Sequence, residues 1–132
     1  DQIYRDSGTT VLLPPGELIM DYGRGPEYRQ LRRIVTIPNA KEAQIEVKLE
    51  RWINSMDYGF YSGDHHIHGA GCAHYTSPTE GVTPEDMFLQ VNGEGLNVGC
   101  VLTWGPCFDY QRRFFAPSVH ELSSSRAVMF SG

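Results

Sequence analysis

The sequence is short of cysteine, of basic charge and of long apolar runs. Its three cysteines, Cys72, Cys100 and Cys107, are too few and too odd in number for a disulfide framework. Lys and Arg number 11 against 16 Asp and Glu, a net charge of −5. That balance lacks the basic footprint of phosphate binding and argues against a nucleic-acid partner. No apolar run approaches the ~18 residues a membrane-spanning helix needs. No signal peptide is expected in this chain, because Asp1 opens a polar stretch rather than a basic and then apolar one. Internal repeats and low-complexity segments are also missing. What is present is enough to fold. The 132 residues amount to about one domain at ~100–200 residues each. Leu, Ile, Val and Phe contribute 31 of them, above the ~20% below which a chain rarely buries enough apolar surface. The 14 Gly and 8 Pro supply many turns with no collagen period.

The chain divides near Asn54–Tyr58 into residues 1–57 and residues 58–132. The first region reads as short strands. In Ala43–Glu50 apolar and polar residues alternate without a fault, which puts Ile45, Val47 and Leu49 on one face of a half-buried antiparallel strand. Leu31, Val35 and Ile37 suggest a second strand before the Pro38-Asn39 turn. Leu18, Met20 and Tyr22 suggest a third, entered through Pro14-Pro15-Gly16 and left through Gly23–Pro26. Short strands with Gly and Pro punctuation predict an antiparallel β-region, a small β-sandwich or part of one.

The second region changes character. Gly59–His68 runs into a strand with histidines, and a loop rich in Gly, Ser, Thr and Pro follows over 69–82. Thr83-Pro84-Glu85-Asp86 is a helix start: Thr83 can cap, Pro84 suits the first position, and the acids favour the positive end of the dipole. Met87, Phe88 and Val91 supply a buried stripe, and Gly93 and Gly95 end the helix. Leu96–Leu102 is nearly continuous in apolar residues, as expected of a strand covered on both faces. Strand, loop, helix and strand make a βαβ unit, with a right-handed crossover expected. The predicted class is mixed α/β.

Asp64-His65-His66-Ile67-His68 holds three of the five histidines within four positions. On a strand, Asp64, His66 and His68 share one face. Alternate imidazoles can converge on one metal ion at ~2.0–2.1 Å from each nitrogen. Asp64 can ligate directly or orient a ligand from behind, and the sequence does not separate these roles. A solvated His-rich loop is the plain alternative.

These residues carry a resemblance. Asp64-x-His66-x-His68 after Tyr61-Ser62-Gly63 resembles the first motif of the PHP (polymerase and histidinol phosphatase) superfamily. The stretch 63–75 is more closely similar to the CehA/McbA-like metallohydrolase branch. So are Pro78–Val82, Pro84–Met87 and Leu102-Thr103-Trp104-Gly105-Pro106. Pro14-Pro15-Gly16, Arg24–Tyr28 and Arg51-Trp52-Ile53 resemble the β-domain that precedes the catalytic domain in secreted bacterial members. The resemblance covers roughly 12–115 and is most specific over 61–109. It implies that residues 1–57 are a sandwich-like region. It further implies that residues 58–132 are the N-terminal part of a PHP-like α/β domain, the first βαβ segment of a (β/α)7 barrel. It implies hydrolysis of a phosphoester, ester or amide bond by metal-activated water, a zinc or manganese cofactor, a small-molecule substrate, and a secreted or periplasmic location. His66 and His68 match the metal ligands of the motif and Asp64 its acidic residue.

Two departures matter. The second strand of such domains commonly ends Thr-Asp-His, whereas here Thr103-Trp104-Gly105 stands at the matching position. Trp cannot replace a carboxylate ligand and Gly has no side chain. The chain also stops where a third strand would be finishing. Two ligands bind metal weakly, since catalytic sites use at least three. The expectation is a fragment or divergent member of a metal-dependent hydrolase, inactive as this chain alone. The alternative is a non-catalytic metal-binding module, or a structural chain whose exposed strand edges pair between subunits as a homo-oligomer.

Other residues read more plainly. His74, in the Gly-rich loop, is a candidate further ligand or a solvated loop residue. His120 is expected to be exposed and Asp109 to form a turn. Cys72 has no base to activate it apart from histidines already assigned to metal. Cys100 reads as a small core residue, and a Cys72–Cys107 pair stays open. Trp52, Trp104, Phe114 and Phe115 read as packing residues.

Overall fold

Alternating side chains build the first sheet. In the computed structural model, which describes residues 3–69, 83–102, 108–116 and 118–131, β1 (Gly16–Tyr22) and β2 (Leu31–Ile37) pair antiparallel from Gly16↔Ile37 to Tyr22↔Leu31. Leu18, Met20 and Tyr22 share a half-buried face with Leu31, Val35 and Ile37. Ile19 and Ile34 stand opposite each other on the other face, both 68% exposed. Arg32 donates to both carboxylate oxygens of Asp21 across the ladder, at 2.6 and 2.8 Å. That fork holds the Asp21 carboxyl below its usual range, but both groups are exposed, so the pair adds little to stability.

The alternation in Ala43–Glu50 does not become a strand. No ladder forms there, and a single bridge, Tyr28↔Arg51, follows the segment. Ile45 is half-buried, while Val47 and Leu49 are 43% and 39% exposed. Alternation specifies which side chains share a face, but a strand also needs a neighbouring backbone to pair with. Among the described residues the N-terminal sheet has two strands and no second sheet facing it. What anchors the end of this region is Glu27. Buried, it pairs with Arg51 and accepts from the Ser55 N–H at 3.2 Å, just where a 3-10 turn (Ser55–Tyr58) begins.

The second sheet is parallel. β3 (Gly63–His68), β4 (Val98–Leu102) and β5 (Val128–Ser131) stand side by side in chain order. Between β3 and β4 runs α1 (Pro84–Gly93). Its start is a reciprocal capping box: Thr83 Oγ1 accepts from the Asp86 N–H, and the Asp86 carboxylate accepts from the Thr83 N–H. α2 (Phe108–Gln111) and a 3-10 turn (Arg112–Phe114) lie between β4 and β5. Met87 from α1, Val101 from β4 and Met129 from β5 form the buried centre, with Ile67, Phe88 and Leu122 packed on it. Each crossover therefore advances the sheet by one strand. Among the described residues the sheet is open and no barrel closes.

The expected packing roles of several residues shift. Trp52 is 58% exposed, its indole N–H donating to the Pro26 carbonyl at 2.8 Å. Phe114 and Phe115 are half-buried, as is Cys100. His120 is half-buried rather than exposed. Its N–H donates to the Met129 carbonyl at 2.7 Å, and its Nδ1 accepts from the Leu122 N–H. Asp109 sits exposed in the first turn of α2, 3.7 Å from Arg112.

Candidate functional site

β3 carries the histidines to the C-terminal edge of the parallel sheet, where ligands of α/β folds commonly sit. The strand is not regular. Asp64 stands opposite Gly99 and Ile67 opposite Val101, so three steps on β3 match two on β4. The extra residue is a bulge at His65–His66. The Asp64 carboxylate accepts from the His66 N–H at 2.8 Å and closes the bulge from its own side. The strict alternation expected of Asp64, His66 and His68 is therefore broken between Asp64 and Ile67. Asp64 is tied to the backbone of the motif, and Ile67 keeps its place against the core.

The two histidines nonetheless meet. His66 Nε2 and His68 Nε2 are 3.1 Å apart, with ring centroids 5.0 Å apart and planes inclined by 46°. His66 is exposed and His68 half-buried, so the pair opens to solvent from one side. Two nitrogens bound to one ion at ~2.0–2.1 Å stand about 2.8–3.4 Å apart, from octahedral at the short end to tetrahedral at the long end. The observed spacing lies in that interval, so the donor set fits one divalent ion as two of its ligands. Among the described residues no third His, Cys, Asp or Glu joins them in a cluster. His74, Cys72, Cys107 and the Thr103-Trp104-Gly105 segment lie outside the described residues.

Directly after His68 the backbone is crowded. A Cβ on Gly69 would fall 2.5 Å from Gln111 Nε2 and 2.9 Å from Val101 Cγ1, so only glycine lets the Gln111 carboxamide lie against the end of β3. Gln111 is 3% exposed and Ser131, at the end of β5, 4%. Both border a void of about 10 Å³ beneath the strand ends, near the lower limit for one water. Among the described residues Ser131 Oγ has no hydrogen-bond partner. Neither residue stands out in the sequence. Gln111 is simply the one buried position of a four-residue helix, and its surroundings come from β3 and β4.

No known family's sequence profile matches this chain, and neither a curated protein nor a solved structure shows detectable similarity to it.

Proposed function

We propose that the chain is a fragment or divergent member of a metal-dependent hydrolase, with His66 and His68 as ligands of a divalent ion, zinc or manganese. The observation that carries this reading is the 3.1 Å approach of the two imidazole nitrogens at the C-terminal edge of a parallel sheet. Asp64 supports the pair by fixing the bulge at His66. An ion held there would supply Lewis acidity and a bound water activated for hydrolysis of a phosphoester, ester or amide. The open sheet in chain order is compatible with the first segment of a PHP-like barrel, and β1–β2 with part of a preceding β-sandwich. Two imidazoles fall short of the three protein ligands usual in catalytic sites. The 132-residue chain is therefore expected to bind metal without hydrolysing substrate.

A non-catalytic metal-binding reading is favoured by Trp104-Gly105, which offer no ligand where the resemblance places Asp-His. One set of measurements addresses both. The chain is stripped of metal and titrated with zinc and with manganese, followed by p-nitrophenyl phosphate and p-nitrophenyl acetate assays. One bound ion per chain, lost in His66→Ala and in His68→Ala, supports the shared metal reading. A wild-type chain that binds no metal sinks it. Turnover by the loaded chain would remove the non-catalytic alternative.

A further inference from the structure

We propose that residues Gln44–Glu50 form an intermolecular β-ladder with the same segment of a second copy of this chain, antiparallel and centred on Val47.

The segment has the pattern of a strand and lacks a partner. Among the described residues no backbone N–H from Ala43 to Glu50 donates within the chain, although Val47 and Leu49 are substantially exposed. One edge is already engaged. Arg33 donates to the Glu46 carbonyl, and the Arg29 N–H donates to the Glu50 carbonyl at 2.9 Å. In an extended chain these even-numbered carbonyls point to one side, and the backbone groups of Ile45, Val47 and Leu49 point to the other. The second side is the free edge.

A two-fold pairing on that edge must place an odd residue opposite an odd one in the hydrogen-bonded positions. With Val47 opposite Val47, Ile45 faces Leu49 of the partner, so apolar meets apolar throughout. The intervening positions then set Glu46 opposite Lys48 twice and Gln44 opposite Glu50. These non-hydrogen-bonded pairs bring side chains closest together. The neighbouring even registers fail. Centred on Glu46 or on Lys48, the ladder puts two like charges face to face, and the Lys48-centred register also sets Glu46 against Glu50. Odd shifts oppose apolar residues to charged ones and turn the apolar face to the wrong side. The segment is thus self-complementary in one register, and that register uses the edge the structure leaves open. A symmetric pairing of this kind closes as a dimer with no further free copy of the segment.

The test is sedimentation of the full chain across a concentration series. The wild type is expected to dimerise. Lys48→Glu sets Glu46 opposite a second Glu at both symmetric positions and should raise the dimer dissociation constant about tenfold or more. The double variant Glu46→Lys, Lys48→Glu reverses each pair and should restore the wild-type constant. Val47→Pro removes the central N–H and should abolish dimerisation while leaving the metal titration of His66 and His68 unchanged. A monomeric wild type would overturn the proposal. So would an unchanged Lys48→Glu dimer, or a double variant no tighter than the single one. Unchanged circular dichroism in each variant assigns the effect to pairing rather than unfolding.

Discussion

Asp64 acts on the histidine pair through the backbone. Its carboxylate accepts the His66 N–H, so it holds the bulge that brings His66 Nε2 to 3.1 Å from His68 Nε2. Asp64→Asn keeps an acceptor of the same shape, whereas Asp64→Ala removes it. A single hydrogen bond of this kind contributes about 1 kcal/mol. We expect Asp64→Ala to lower unfolding stability by about that much and to weaken zinc binding, with Asp64→Asn close to wild type in both. A direct ligand role would remove that ordering in the metal titration, with Asn as damaging as Ala. Glu27 shows the same dependence on neighbours at a structural position. Arg51, and then Ser55 through its side chain and its N–H, hold its carboxyl below the usual range. A depressed folded-state value means the contribution is present above the ordinary Glu pKa and fades as the pH falls through the lowered one. Glu27→Gln should therefore destabilise the chain near neutral pH, by about 1–3 kcal/mol. Chemical unfolding followed against pH should show the difference shrinking toward acid. A gap that stayed constant down to the acid limit would refute the ion-pair account.

At the level of elements, local chemistry and pairing separate what is legible in the sequence from what is not. The start of α1 is legible because every part lies within four residues. Thr83 caps, Pro84 occupies the first turn, and Asp86 returns the hydrogen bond. Removing the hydroxyl in Thr83→Ala should cost about 1 kcal/mol, measured by denaturant unfolding, with Thr83→Ser nearly neutral. The half-buried faces of β1 and β2, and the apolar run of β4, are legible for a related reason, since their patterns coincide with edges that really pair. Ala43–Glu50 has the cleanest alternation of all and forms no ladder, because periodicity carries no information about whether an edge is available. The site divides in the same way. That His66 and His68 come together is readable from their spacing. The bulge is not, because it exists only in the register of β3 against β4, where Asp64 matches Gly99 and Ile67 matches Val101. Gln111 and Ser131 are invisible for the same reason: each is an ordinary polar residue until three strand ends enclose it.

In the whole molecule, the N-terminal region meets the parallel sheet at the C-terminal end of α1. Arg24 Nε donates to the Asn92 carbonyl at 2.8 Å, an oxygen that also accepts the Gly95 N–H at 3.0 Å, and places a cation at the negative end of the helix dipole. Gly25, at φ +60°, lies so close that a Cβ would fall 1.7 Å from the Glu94 carbonyl oxygen. Gly25→Ala should therefore separate the two regions, seen as faster amide exchange over Asn92–Gly95. The third contact at this joint titrates. The Tyr4 hydroxyl donates to the Glu94 carboxylate. That hydrogen bond, reinforced by burial and by the carboxylate's charge, pushes the phenol up to about 12 from 10.0. The group loses its proton to become charged, so the raised folded-state value favours the docked form below pH ~10. The contribution is lost as the pH climbs through about 12, when phenolate and carboxylate repel. An ultraviolet titration should then show a late-ionising phenol that disappears in Tyr4→Phe and moves back toward 10 in Glu94→Gln. If Tyr4→Phe removed a phenol ionising near 10 and kept the late one, Tyr4 would not be held by Glu94, and Arg24 and Gly25 would have to hold the two regions together without it.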